Sequence, residues 1–219
     1  MSNSAFVVLL CGDMVYSKMI RERLLVETKQ SPFLYHGSAV RGLKYLDPFP
    51  GDQRNPEAGP VVFATPFFDY ATCFMGPTQG SWITINKWGI HSEYVFICSN
   101  EKRYRSEDRG GAIYKVDSDG FAFDEERGGG LDEWMSKTAV RVLEETTFSS
   151  VIDAMIDHFV QVFFVSEKEH LLLDKMPRHG LYYLMQKTSE NQRMGKNVLP
   201  LERGGEGHDV LRKIRWGNK

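Results

Sequence analysis

Hydrophobic positions along the chain fall mostly into short runs. Residues 5–10 form an uninterrupted apolar run that reads as a buried strand, and residues 16–28 carry Met19, Ile20 and Leu24 on one helical face among interleaved charges. Ser31-Pro32 breaks that pattern. Short runs rich in β-branched and aromatic residues follow at 33–36, 61–65, 82–85, 93–98, 112–116, 139–143 and 160–165, and most have Gly, Pro, Asn or Ser nearby. Two further segments have helical spacing. Residues 67–75 place Phe67, Ala71 and Phe74 on a common face, and residues 149–159 do so with Ile152, Met155, Ile156 and Phe159 behind a Ser suited to cap the start. Strands outnumber helices and do not alternate with them, so the expected class is α+β rather than a doubly wound parallel sheet.

Two stretches interrupt the pattern. Residues 47–60 hold four prolines and three acidic side chains, and residues 123–132 surround Gly128-Gly129-Gly130 with acidic groups; both read as loops, either binding loops or plain surface excursions. From Lys187 onward eight basic residues face four acidic ones. The organisation expected is an N-terminal strand and helix over 1–30, a main domain over 31–186 and a basic tail over 187–219. Trp216 among Arg212, Lys213 and Arg215 would suit a phosphate-bearing strand, although a solvated tail explains the same charges.

Composition narrows the class without naming a function. The chain has 219 residues, 42% hydrophobic and 26% charged, with 27 Lys and Arg against 29 Asp and Glu. Those proportions describe a soluble globular protein with enough chain for a sizeable core, and they exclude a rod, a disulfide scaffold and wholesale disorder. The net charge of −2 conceals a tail of +4 and a remainder of −6. No apolar run nears the length of a membrane helix, and no Lys or Arg precedes residues 5–10 as a signal peptide requires. Cys11, Cys73 and Cys98 are widely spaced and odd in number, which suits reduced thiols in a cytoplasmic protein. The six histidines show no ligand spacing, so no metal is expected. Phosphate-loop, dinucleotide-loop, zinc-protease and nucleophile-elbow signatures are absent. Asp117-Ser118-Asp119-Gly120 lacks the calcium-loop pattern and reads as a turn.

Leu34-Tyr35-His36-Gly37-Ser38 stands apart from this background. A strand delivers a His, a Gly permits a tight turn and close approach of a ligand to the backbone, and a hydroxyl follows. Downstream come Phe63-Ala64-Thr65 ending a strand, a short helix with Asp69, Ala71 and Phe74, then Gly111-Ala112-Ile113-Tyr114-Lys115-Val116, then residues 132–136 leading into 139–143. This order resembles the ADP-ribosyltransferase-like fold, most of all the rifampin ADP-ribosyltransferase group and more loosely the RNA 2′-phosphotransferases. Four weak pieces in the right order carry the resemblance, over roughly residues 33–143.

The resemblance implies a split β-sandwich with a few flanking helices, and NAD as substrate in a cleft between two small sheets. It implies transfer of ADP-ribose, a glycosyl transfer, through an oxocarbenium-like state that needs negative charge nearby. On that reading His36 bonds a ribose and Tyr35, Gly37 and Ser38 line the cofactor. Phe63, where the group usually has Tyr, keeps an aromatic face for nicotinamide without the phenolic hydroxyl, and Thr65 donates to a phosphate or ribose oxygen. Arg41 and Arg54 are candidates for the pyrophosphate. Glu133 is the first choice of catalytic carboxylate, with Asp124, Glu125 and Glu126 as alternatives and Trp134 and Ser136 lining the pocket. The acceptor, whether protein, nucleic acid or small molecule, is open. Two alternatives remain: a non-catalytic nucleotide- or protein-binding module of the same fold, and a 2′-phosphotransferase-like enzyme acting on RNA.

Overall fold

A computed structural model describes residues 31–49, 59–78, 80–88, 93–123, 133–176, 180, 183–184 and 198–200. The expected N-terminal strand and helix, Arg54, the acidic stretch 124–132 and nearly all of the basic tail lie outside these residues. Both strands and helices are present, as an α+β chain requires. The strands are β1 (Phe33–Ser38), β2 (Tyr45–Leu46), β3 (Val62–Ala64), β4 (Ile83–Trp88), β5 (Glu93–Cys98), β6 (Gly111–Asp117), β7 (Ala122–Phe123), β8 (Trp134–Ser136), β9 (Val140–Phe148), β10 (Gln161–Phe164) and β11 (Val198–Pro200). Four helices are described: α1 (Phe68–Thr72), α2 (Glu101–Glu107), α3 (Val151–Asp157) and α4 (Glu167–Asp174).

The strands are hydrogen-bonded in three sheets, ordered β1-β6-β9-β2, β11-β10-β5-β4 and β3-β8-β7. Two compact units share the chain. One comprises Met1–His36, Leu43–Phe67 and Tyr114–Glu144, and the other Gly37–Gly42, Phe68–Ile113 and Glu145–Lys219.

In the first unit, β3 pairs antiparallel with β8, and β8 with β7. Alternation along these strands separates a buried face, with Val62, Ala64, Trp134 and Ser136, from one where Phe63 and Met135 are half-buried. Phe123 packs edge-on against Trp134 at 5.8 Å.

In the second unit, β5 and β10 are parallel, with Gln161 opposite Val95 and Phe164 opposite Cys98. Residues 94–98 and 161–165 are buried without alternation, because both faces of the pair are covered. Val95, Ile97 and Phe163 pack with Leu173 of α4 and with Tyr183 and Leu184. On the other face Tyr94 stacks on Tyr70 at 4.5 Å and Phe96 meets Tyr104 edge-on at 5.1 Å. Each of the three longer helices is capped: Asn100 accepts from Arg103 N, Ser150 from Asp153 N, and Ser166 forms a reciprocal capping box with Glu169.

Candidate functional site

The His36 motif sits where two strands part. Tyr35 and Thr65 exchange both backbone hydrogen bonds, at 2.7 and 2.9 Å, and this bridge is isolated. The Phe63 carbonyl, which a continuing ladder would give to a backbone N–H, instead accepts from His36 Nδ1 at 2.7 Å. A carbonyl cannot donate, so the Nδ1 atom carries the proton and the neutral ring keeps a lone pair on Nε2. Among the described residues Nε2 meets no hydrogen-bond partner. Burial lowers the His36 pKa below its ordinary value, outweighing the raising effect of the Phe63 carbonyl. The side chain is therefore a neutral acceptor of fixed tautomer.

Thr65 is buried, and its Oγ1 accepts from Phe67 N at 3.1 Å, which turns the chain into α1. Trp134 lies opposite Ala64, so the same register continued by one residue sets Glu133 across from Thr65. Period-two alternation then gives Phe63, Thr65, Glu133 and Met135 a common face of the β3-β8 pair. Glu133 is half-buried. Within the first unit Tyr35, paired with Thr65, thus shares the face of Phe63, Thr65 and Glu133, while His36, the next residue of β1, reaches this region through the Phe63 backbone carbonyl. Trp134 and Ser136, expected as pocket lining, are on the opposite, buried face. The Ser136 hydroxyl is occupied by Thr138, through its carbonyl at 3.1 Å and its own backbone N–H at 3.3 Å.

Gly37, Ser38 and Arg41 belong to the second unit, and there the chain itself accounts for them. A Cβ on Gly37 would lie 2.0 Å from the Ala71 carbonyl oxygen, so the glycine is required by the close approach of α1. Ser38 Oγ accepts from Val40 N at 3.1 Å, a local turn. The Arg41 guanidinium, expected at a pyrophosphate, donates to the backbone carbonyls of Phe148 at 2.7 Å, Arg109 at 2.9 Å and Gly111 at 3.4 Å. It straps three chain segments together.

Asp108 was not singled out in the sequence. Its carboxylate accepts from Gly110 N, Ser150 Oγ, Val151 N and Ile152 N, all between 2.8 and 3.2 Å, and so holds the start of α3. The Ser149-Ser150 step before an apolar run signalled the helix, but its carboxylate partner is 42 residues away from Ser150 and carried no local signal.

Among the described residues, no group of three or more His, Cys, Asp or Glu could hold a metal ion, and no helix is long and apolar enough to cross a membrane. Comparison with known families, with curated proteins and with solved structures finds no match in any of the three.

Proposed function

We propose that this chain binds NAD through the His36 region and transfers its ADP-ribose to an acceptor, on a split β-sandwich of the ADP-ribosyltransferase-like kind. The observation that carries this reading is the His36 imidazole, held neutral with Nδ1–H on the Phe63 carbonyl. Nε2 is then an acceptor for a ribose hydroxyl. The Phe63 ring offers a face for nicotinamide, and the Glu133 carboxylate supplies negative charge to the ribose as the glycosidic bond opens. Nicotinamide leaves with the bonding electrons, and an acceptor nucleophile adds to the ribose carbon with loss of its proton. Arg41 takes no part, since its guanidinium is spent on backbone carbonyls.

Incubating the protein with NAD labelled in both halves tests this. Nicotinamide release is expected, with label passing to an acceptor or to water. Glu133→Gln should slow release by about 100-fold or more while keeping the rise in melting temperature that NAD causes. His36→Ala should lose both. Absence of release together with absence of any NAD-induced melting shift contradicts the proposal. A shift without turnover would instead support a binding module, a reading favoured by Phe63, whose ring lacks the hydroxyl usual at that position in the group resembled.

A further inference from the structure

A second constellation of reactive side chains lies in the other compact unit. Thr84 Oγ1 is 3.0 Å from His170 Nε2, and His170 Nδ1 is 3.9 Å from Asp174 Oδ2. The placement follows from the fold. Thr84 on β4 is opposite Ile97 of β5, on the face that packs against α4, and His170 and Asp174 are one turn apart on that helix. His170 is only 3% exposed, Thr84 is partly exposed, and the Asp174 side chain is 43% exposed. A covered imidazole thus has the hydroxyl of a partly exposed threonine within hydrogen-bond distance of one nitrogen and a carboxylate 3.9 Å from the other. Burial lowers the His170 pKa and the Asp174 carboxylate works against that shift, so the ring is neutral at pH 7. With its proton on Nδ1, towards the Asp174 carboxylate, the ring turns the Nε2 lone pair to the Thr84 hydroxyl.

We propose that Thr84, His170 and Asp174 form an acyl-transfer site for carboxylic esters, with Thr84 as nucleophile, His170 as general base and Asp174 as the residue that positions the imidazole. Thr84 Oγ1 bonds to the acyl carbon while its proton passes to Nε2. The ester C–O bond then breaks, and the departing alcohol oxygen takes that proton. Water next attacks the threonine ester, gives its proton to Nε2 and releases the carboxylic acid, after which the proton returns to Thr84. The sum is ester plus water giving acid plus alcohol.

A source of oxyanion stabilisation is also at hand. Among the described residues β4 is the edge strand of its sheet. Ser99 N donates to Trp82 O at 2.9 Å, which fixes the ladder phase so that Thr84 and Ile97 are a hydrogen-bonded pair. The N–H groups of Ile83 and Ile85 therefore point to the edge that no described strand covers, on either side of Thr84 in the chain.

The test uses the full chain and p-nitrophenyl acetate, followed by peptide mapping. A burst of p-nitrophenolate and an acetyl group on Thr84 are expected. Thr84→Val should abolish the burst, Thr84→Ser should keep it, and His170→Gln should slow acylation by about 100-fold or more. Asp174→Asn should move the pH midpoint of acylation downward, because the carboxylate raises the His170 pKa; an unchanged midpoint would show that His170 is not the base in acylation. Melting temperatures identify variants that fail to fold, and Thr84→Val, nearly equal in volume, keeps the test decisive if His170→Gln is one of them. No adduct, an adduct on another residue, or equal acylation of wild-type and Thr84→Val proteins overturns the proposal.

Discussion

The proton state of His36 links a single side chain to the behaviour of the whole chain with pH. Burial holds its pKa below the ordinary 6.5, so the unfolded chain binds that proton more readily than the folded one. The stability contributed by the neutral ring is fully present above about pH 6.5 and is lost as pH falls through the folded-state value. His170 shifts in the same direction. Melting temperature should therefore fall on acidification from about pH 7.5 to 5, and His36→Asn, which keeps an N–H for the Phe63 carbonyl, should show a shallower fall. Equal slopes in the two proteins would count against the assignment. Gly37→Ala should destabilise by about 2 kcal/mol or more, read by denaturant unfolding, since the added carbon would meet the Ala71 backbone. Phe159 moves the other way. It is 79% exposed with φ of 65°, so Phe159→Gly should stabilise by up to about 1 kcal/mol. The Tyr35-His36-Gly37-Ser38 motif was legible in the sequence. The reason for its glycine was not, because the contact that requires it is 34 positions downstream at Ala71.

At the scale of elements, what the sequence disclosed depended on burial. β5 begins and ends where its apolar run predicts, at Glu93 and Cys98. β9 was expected over 139–143 and runs from Val140 to Phe148, because Glu144 to Thr147 are mostly exposed and give no alternation to read. The helix expected over 67–75 is confined to Phe68–Thr72. α2 and α4 were missed. Only Tyr104 is buried in α2, whose surface is held by the pairs Glu101–Arg105 and Arg103–Glu107, each at 2.8 Å; the signals available were that i, i+4 spacing and Asn100. For α4 the signal was Ser166 followed by Glu169, the sequence mark of a capping box. α3 yields the sharpest test at this scale. Asp108→Ala removes four hydrogen bonds to a carboxylate and should cost about 2–3 kcal/mol in denaturant unfolding, with Asp108→Asn milder. A loss below about 0.5 kcal/mol would deny Asp108 its anchoring role.

Across the whole molecule, reading the chain as consecutive segments meets its limit. Residues 31–186 read as one stretch of domain, whereas each compact unit draws on three separate segments, and composition shifts along a chain do not register such interleaving. The functional account rests on residues that one unit gathers from three segments: Tyr35 and His36, Phe63 and Thr65, and Glu133. Its central claim is that His36 offers Nε2 to NAD while Nδ1 stays on the Phe63 carbonyl. Nitrogen-15 spectra of the histidine rings, with and without NAD, measure this directly. The account predicts a protonated Nδ1 and unprotonated Nε2 in the free protein, with NAD moving the Nε2 resonance and leaving the tautomer unchanged. A His36 ring protonated on Nε2, or one whose resonances ignore saturating NAD, would contradict it.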